Sequence, residues 1–125
     1  MTATLDAPWE GARPLYRQLR DRLIALILEG EFAEGEPLPS VRALAQRLHL
    51  SALTIWRAYQ ELLAEHLVDA RRGRGLYVAA GVTETLRAAE RARFLAHEWP
   101  GVCATLARLR LSCDELPAPL PPPQR

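Results

Sequence analysis

The sequence predicts a mostly helical α+β fold, and three patterns along the chain carry this prediction. Apolar residues recur at helical spacing over 14–29 and again in two shorter segments, 40–48 and 51–65. Two strand-like runs, 67–71 and 75–79, come next and flank a turn that contains glycine. Helical spacing then returns before a proline-rich tail. This order of elements is typical of a helix-turn-helix with an attached β-hairpin and a short helical appendage.

Composition narrows the class of protein. The chain has 125 residues, of which 49% are hydrophobic and 25% charged, which suits one ordinary domain or a small module with an appendage. All sixteen basic residues are Arg, so a P-loop lysine, a Schiff-base lysine and a lysine general base are excluded. Binding of phosphate would have to use Arg, hydroxyl groups, backbone N–H groups or helix N-termini.

The N-terminal third combines an arm, a helix and a loop. Residues 1–12 are predicted to form an N-terminal arm with Trp9 as its aromatic anchor. A first helix is predicted over 14–29, because apolar side chains recur every four positions at Leu15, Leu19, Leu23 and Ile27. Two glycines and two prolines within residues 30–39 then predict a loop.

Two short helices with serine caps follow this loop. Ser40 is a good N-cap for a helix over 40–48, and Ser51 is a good N-cap for a helix over 51–65. Only two residues separate these helices, which is the outline of a helix-turn-helix. The hairpin that follows has Arg72, Gly73 and Arg74 at its turn and is interpreted as a wing.

The remaining residues are predicted to be helical and then extended. One helix is expected over 83–98, a break at Pro100 and Gly101, and a last helix over 101–113. The tail from Asp114 holds half of the ten prolines. The predicted domain plan is therefore an arm at 1–12, a winged helix-turn-helix at 13–80, a helical region at 81–113 and a Pro-rich tail at 114–125.

Charge is distributed unevenly along a chain whose net charge is only +1. Residues 1–38 contain four Arg and seven acidic residues, whereas residues 39–80 contain six Arg and three acidic residues. The last segment, 81–125, contains six Arg and five acidic residues. The helix-turn-helix and wing thus form the basic part of the chain, and a local basic surface can bind DNA even when the whole chain is nearly neutral.

Four motifs in order carry a resemblance to a known family. Residues 14–19 are Pro-Leu-Tyr-Arg-Gln-Leu, and residues 38–45 are Leu-Pro-Ser-Val-Arg-Ala-Leu-Ala. Residues 54–62 are Thr-Ile-Trp-Arg-Ala-Tyr-Gln-Glu-Leu, and residues 71–78 are Arg-Arg-Gly-Arg-Gly-Leu-Tyr-Val. Together they resemble the GntR family of bacterial transcription regulators. The first and third motifs look most like the YtrA-type branch, which has a short helical C-terminal region in place of a large effector domain.

The resemblance implies a winged-helix DNA-binding unit whose third helix enters the major groove. Double-stranded DNA is then the expected partner, and the expected function is that of a transcription regulator, in particular a repressor. The expected DNA-contacting residues lie on the two short helices and the wing: Ser40, Arg42, Ser51, Ala52, Leu53, Thr54, Trp56, Arg57, Arg71, Arg72, Gly73 and Arg74.

The C-terminal helices are expected to form a homodimer that reads an inverted-repeat operator, since one module contacts too few base pairs for useful specificity. The expected dimerisation residues are apolar: Leu86, Phe94, Leu95, Val102, Leu106 and Leu109. The alternative is that this apolar stripe packs only on its own winged-helix unit.

Several residues have a second interpretation. Arg57 could instead pair with Glu61 one helical turn later. Ser40 could serve as a helix cap alone, and the wing arginines could simply keep an ordinary hairpin tip solvated. Trp56 stands where some relatives have a DNA-contacting Arg, so it could stack on sugar, contact thymine methyl groups or fold back onto the protein.

Other functions and locations are less well supported by the sequence. A winged-helix adaptor for protein partners is the main alternative, and the arginine-rich wing counts against it. No catalytic arrangement stands out, and His97, Cys103 and Cys113 match no standard metal motif, so neither an enzyme, a metal nor a cofactor is expected. The N-terminus does not resemble a signal peptide, and the longest apolar run is too short to span a membrane, so a cytoplasmic location is expected. A small-molecule effector is left open.

Overall fold

A computed structural model describes residues 3–120, and it confirms the mostly helical α+β fold. The helices are α1 (Ala3–Asp6), α2 (Leu15–Leu28), α3 (Val41–Leu48), α4 (Ala52–Ala64), α5 (Val82–Arg93) and α6 (Trp99–Leu109). The strands β1 (Val68–Arg71) and β2 (Gly75–Val78) form one antiparallel hairpin. The chain divides into two compact units between Leu86 and Arg87, within α5.

The first unit has a core centred on the apolar faces of α2 and α4, which pack against each other. Leu19 and Leu23 of α2 and Ile55 and Leu62 of α4 are fully buried. Each such side chain contributes about 1.5–3 kcal/mol through removal from water. The same contacts set the orientation of α4, because burying one face of the helix leaves the opposite face toward solvent.

Helices α3 and α4 form the helix-turn-helix, and α3 also packs on α4. The Oγ of Ser40 accepts a hydrogen bond from the backbone N–H of Ala43 at 3.1 Å, which caps α3. His49 ends α3 in the left-handed conformation with φ of 56°. This conformation ends the helix and redirects the chain, and α4 begins three residues later.

The hairpin is held to the body of the unit by the loop before α3. Val68 pairs with Val78 and Arg71 with Gly75, and Gly73 adopts a φ of 73° at the turn. Backbone bonds then join the outer edge of β2 to the loop, including Leu38 N–H to Leu76 C=O at 2.9 Å. The loop therefore covers an edge that would otherwise expose unpaired backbone groups.

The N-terminal arm is docked rather than extended over its described part. Leu5 is buried in the core with 1% of its surface exposed. The Arg22 guanidinium lies 3.7 Å from the centre of the Trp9 ring, and it donates to the carbonyl of Ala7 at 2.7 Å. Trp9 is thus an anchor through a cation–π contact with α2.

Gln18 is a buried polar residue on α2 that the sequence pattern does not single out. Only 4% of its surface is exposed, yet its amide is fully engaged. The Nε2 group donates to the carbonyls of Glu10 and Arg13 at 2.7 and 2.8 Å, and the Oε1 atom accepts from Glu10 N–H at 2.8 Å. These bonds fix the segment that leads into α2.

Glu34 joins the loop before α3 to the start of α5. Its two carboxylate oxygens accept from the backbone N–H groups of Gly81 at 2.7 Å and Thr83 at 3.0 Å. Hydrogen bonds from Gly81 and Thr83 lower the pKa of Glu34 below its ordinary value. The carboxylate also satisfies N–H groups that have no partner within a helical first turn.

The expected break at Pro100 and Gly101 is wrong. The chain remains helical from α5 through a π-helical turn, Phe94–Glu98, and into α6. In this turn Trp99 N–H bonds to the carbonyl of Phe94, five residues earlier. The wider turn accommodates Pro100, which has no N–H to donate and whose ring crowds the preceding turn of an α-helix.

The structure also differs from the sequence-based predictions for the last helix, Leu86 and the tail. The last helix ends at Leu109 rather than residue 113, because Arg110 adopts the left-handed conformation, and Cys113–Glu115 forms a separate 3₁₀ turn. The sequence pattern predicts Leu86 at the dimer interface, but the residue is buried in the core of the first unit. Of the Pro-rich tail, residues 116–120 form neither helix nor strand, and 121–125 lie outside the described residues.

We expect Gln18→Ala to lower the free energy of unfolding by about 1–3 kcal/mol, because two carbonyls and one N–H group would lose their partner in a partly buried site. Urea denaturation measures the change. Gln46→Ala is the matched control, since Gln46 is exposed on α3. Equal destabilisation by the two substitutions would contradict the role assigned to the Gln18 bonds.

Glu34 should make stability depend on pH. Because its folded-state pKa is lowered, its contribution is present above the ordinary value of 4.5 and is lost as the pH falls through the folded-state pKa. We therefore expect the unfolding free energy of Glu34→Gln to decline less than that of the wild type as the pH falls below 4.5. Chemical denaturation across this range, with Glu29→Gln as the exposed control, tests it; parallel curves for wild type and Glu34→Gln would refute it.

Candidate nucleic-acid interface

The N-terminal half of α4 presents an exposed face opposite the core. Ile55, Ala58 and Tyr59 are buried, as the apolar spacing predicts. The outward positions are Ala52, Leu53, Trp56, Arg57 and Gln60, all of which are exposed. A helix held by one buried face and exposed on the other is the arrangement that a recognition helix needs.

Hydroxyl groups are concentrated at the start of α4. The Oγ of Ser51 accepts from Thr54 N–H at 3.2 Å, and the two side-chain oxygens lie 2.9 Å apart. Ser51 is exposed and Thr54 is half-buried. Ser40 combines the same capping role on α3 with exposure to solvent. Helix starts of this kind offer N–H and hydroxyl donors to a phosphate group.

Apart from Arg17, whose Nε donates to the hydroxyl of Tyr16 at 3.3 Å, the arginines in the first unit fall into two groups. The first group is engaged with acidic side chains or carbonyls and ties elements together. Arg20 of α2 donates to both carboxylate oxygens of Glu65 at the end of α4, at 2.6 and 2.8 Å. Arg47 pairs with Asp6 at 3.2 Å. These arginines have structural partners within the chain.

The second group contains the five arginines expected to contact DNA. Within residues 3–120, none of the five pairs with an acidic side chain: Arg42, Arg57, Arg71, Arg72 and Arg74. All five are exposed. Exposed guanidinium groups without an internal carboxylate can donate hydrogen bonds to a phosphate at little cost in free energy, because no existing ion pair has to break.

Two of these arginines lie against aromatic rings instead. The Cζ of Arg57 is 5.4 Å from the centre of the Tyr16 ring on α2, so the alternative pairing with Glu61 is not formed. The Cζ of Arg71 is 3.9 Å from the centre of the Tyr77 ring across the hairpin. A cation–π contact restricts a guanidinium without neutralising it. Sequence reasoning missed Tyr16 and Tyr77 because each contact depends on how the elements pack.

A groove of about 450 Å³ lies between the start of α3, the exposed side of α4 and the wing. Its walls combine apolar and basic side chains: Leu38, Pro39, Ser40, Val41, Trp56, Tyr59, Leu63, Ala70, Arg71, Arg72, Arg74, Gly75 and Leu76. Tyr59 donates its hydroxyl to the carbonyl of Pro39 at 2.6 Å, and burial raises its pKa. This bond fixes the loop that leads to the cap of α3.

The groove brings together part of the expected interface. Ser40, Trp56 and the wing arginines line it, whereas Arg57 lies beside Tyr16. Trp56 remains 51% exposed, so it faces the groove without being buried in the protein. Arg42 is exposed in the first turn of α3, and Gly73 is exposed at the wing tip.

Metal-binding clusters and membrane-spanning helices are not found among residues 3–120. No cluster of three or more His, Cys, Asp or Glu side chains is placed there to hold a metal ion. None of the helices in this range has the length and hydropathy needed to cross a lipid bilayer. The two cysteines, Cys103 and Cys113, are exposed free thiols.

Comparison with known families decides the classification. A family model described as bacterial regulatory proteins of the gntR family matches residues 15–78, about half of the chain. The chain belongs to the gntR family. The match covers α2 through β2, which are the elements that carry the exposed face of α4, the groove and the wing. The members of this family are regulatory proteins.

Two curated relatives from Bacillus subtilis share this segment. One is the transcriptional repressor YtrA, which is 37% identical over 58% of this chain and 56% of its own length. The other is the uncharacterised transcriptional regulator YhcF, which is 32% identical over 60% of this chain and 62% of its own length. The similarity to YtrA supports a YtrA-like gntR regulator. The chain spans less than two thirds of either relative.

Solved structures show the same fold. A GntR family regulator from Listeria monocytogenes has a TM-score of 0.70 and 27% identity, covering 86% of this chain and 92% of that one. YtrA from Sulfolobus acidocaldarius has a TM-score of 0.55 and 34% identity, covering 70% and 92%. AraR(DBD) in complex with operator ORR3 has a TM-score of 0.52 and 26% identity, covering 58% and 87%.

Proposed function

We propose that this chain is a sequence-specific DNA-binding transcription regulator that acts as a repressor and binds an inverted-repeat operator as a homodimer. The observation that carries this proposal is a set of five exposed arginines on α3, α4 and the wing that have no acidic partner among residues 3–120. Guanidinium groups that are exposed around a recognition helix suit the phosphate backbone of DNA. The proposed place of action is the cytoplasm, where bacterial DNA lies.

The geometry supports a specific mode of binding. Helix α4 would enter the major groove with its N-terminal half nearest the bases, while Ser40, Ser51 and Thr54 approach phosphates. The wing tip would approach the adjacent minor groove, where Gly73 allows close approach of the backbone. Arg72 and Arg74 flank that glycine and can follow it into a narrow groove.

The relatives support two parts of the proposal, DNA binding and repression. The structure of AraR(DBD) was solved in complex with an operator, and its fold matches 58% of the residues of this chain. The YtrA relative from Bacillus subtilis is a transcriptional repressor. An adaptor function without DNA remains the competing hypothesis, and the arginine-rich wing again counts against it. No particular effector is proposed.

The homodimer proposal rests on the second unit. Among the described residues 87–120, no side chain is buried, so these helices have no core of their own within one chain. The apolar side chains of α6 recur at spacings of three and four: Trp99, Val102, Leu106 and Leu109. This spacing places them along one helix face, which is typical of helix–helix association.

The π-helical turn extends this face. In a regular α-helix, residues five apart point in different directions, whereas the π turn aligns Phe94 with Trp99. Their ring centres lie 6.5 Å apart. Phe94, Val102 and Leu109 expose 42%, 39% and 60% of their surfaces. A second copy of the chain is the proposed cover, because a two-fold dimer matches an inverted repeat.

Arg57→Ala and Arg72→Ala should each weaken DNA binding about tenfold at moderate salt, because each removes a cationic contact. Each should also reduce the dependence of affinity on salt by about one counterion. Fluorescence anisotropy over a salt series, with an operator selected from random DNA, measures both quantities. Arg91→Ala removes the same charge from an exposed position on α5 and is the matched control.

Two results would contradict the DNA-binding proposal. The first is equal affinity of the wild type for selected and random DNA, which would favour the adaptor hypothesis. The second is an affinity loss in Arg91→Ala as large as that in Arg72→Ala, because a general charge effect would then explain the data without an interface.

Val102→Glu combined with Leu109→Glu should convert a dimer into a monomer, because charges would be placed within the proposed apolar contact. Light scattering after size-exclusion chromatography measures the mass. Ala104→Glu adds one charge on the opposite side of α6 and should leave the dimer intact. A wild-type monomer, or a double variant that stays dimeric, would refute the proposed role of this face.

A further inference from the structure

Leu53 and Trp56 form an exposed apolar patch on the part of α4 nearest its N-terminus. They expose 62% and 51% of their surfaces, although both are large apolar residues. Their spacing of three residues makes them neighbours on the helix surface. Ala52 adjoins them and is also exposed. Two large apolar side chains exposed side by side mark a surface where a partner can bury apolar area.

The polar side chains of these turns lie at the start of the helix or to one side of the apolar patch. The hydroxyls of Ser51 and Thr54 lie 2.9 Å apart and bond to each other. Arg57 lies to one side against Tyr16. Apart from the Ser51 and Thr54 hydroxyls, the one side-chain donor within residues 51–56 is the indole N–H of Trp56. The helix thus offers the DNA an apolar surface where a recognition helix more often offers hydrogen-bonding groups.

The chemistry of the major groove limits what such a surface can recognise. Guanine, cytosine and adenine present donors and acceptors there, whereas thymine also presents its 5-methyl group. That methyl is the apolar group that base pairs place in the groove. An aliphatic and an aromatic side chain can bury it, and burial of one methyl group changes an equilibrium constant about fourfold.

We propose that Leu53 and Trp56 are specificity-determining residues that recognise thymine 5-methyl groups in each operator half-site. This inference rests on the proposed function, since it requires α4 to enter the major groove. Leu53 is directed away from the buried face of α4, and Trp56 is directed toward the wing. They therefore contact neighbouring base pairs, with Trp56 on the side nearer the wing.

The test replaces thymine by deoxyuridine, which removes the methyl group and keeps base pairing. An operator is first selected from random DNA with the wild-type protein. Each thymine is then replaced singly, and affinities are measured by fluorescence anisotropy. At one or two positions in each half-site, we expect the affinity to fall about fourfold. At the remaining positions it should not change.

Variants assign the effect to the two side chains. Leu53→Ala and Trp56→Ala should bind the thymine operator more weakly and should lose the response to deoxyuridine at the position each residue contacts. Gln60→Ala is the matched control, because Gln60 is exposed on α4 one turn beyond Trp56. It should retain the full response. Comparing each variant on the thymine and deoxyuridine operators separates the methyl contact from a general loss of DNA affinity.

The possible outcomes distinguish a failure of this inference from a failure of the proposed regulator function. Specific binding that is unaffected by deoxyuridine at every position would overturn the inference and leave the regulator proposal standing. Retention of the full response in both alanine variants would also overturn it. Failure to select any preferred sequence would overturn both. The deoxyuridine series on wild-type protein needs no variant, so a substitution that fails to fold does not remove the test.

Discussion

Packing of α2 against α4 is the contact on which the rest of the first unit depends. It buries one face of α4 and so determines which side chains of that helix face outward. Arg20 reinforces the same pair of helices through two bonds to Glu65. Because the hairpin follows α4 directly, this packing also positions the wing relative to the recognition face. The proposed DNA contacts are therefore consequences of a hydrophobic core.

The arginines of this chain serve two different purposes, ion pairs within the fold and the proposed DNA contacts. Arginines beside acidic groups connect α1, α2, α3 and α4, as the pairs of Arg20 and Arg47 show. Arginines on the proposed interface have no such partners within the described chain, and two lie on aromatic rings. A ring holds a guanidinium in place while its charge stays available. A net charge of +1 thus conceals a strongly basic local surface.

Recognition in this protein is proposed to combine two different kinds of interaction. The wing and helix starts supply cationic and hydroxyl contacts, which position the protein on the phosphate backbone. The apolar patch of Leu53 and Trp56 supplies discrimination among bases. The second unit adds symmetry, since its uncovered apolar face is proposed to pair two chains. Affinity, base preference and operator symmetry would then come from separate parts of a short chain.

The sequence alone determined the helices α2 to α4, the hairpin and the outward residues of α4, because apolar periodicity, serine caps and glycine turns are local signals. It failed at Pro100, where a π turn absorbs the proline, and at Leu86, whose burial depends on distant residues. Only the tertiary structure decided that Arg57 lies on Tyr16 rather than pairing with Glu61. The reason is physical: such contacts join elements far apart in the chain, and spacing along one element carries no information about its neighbours.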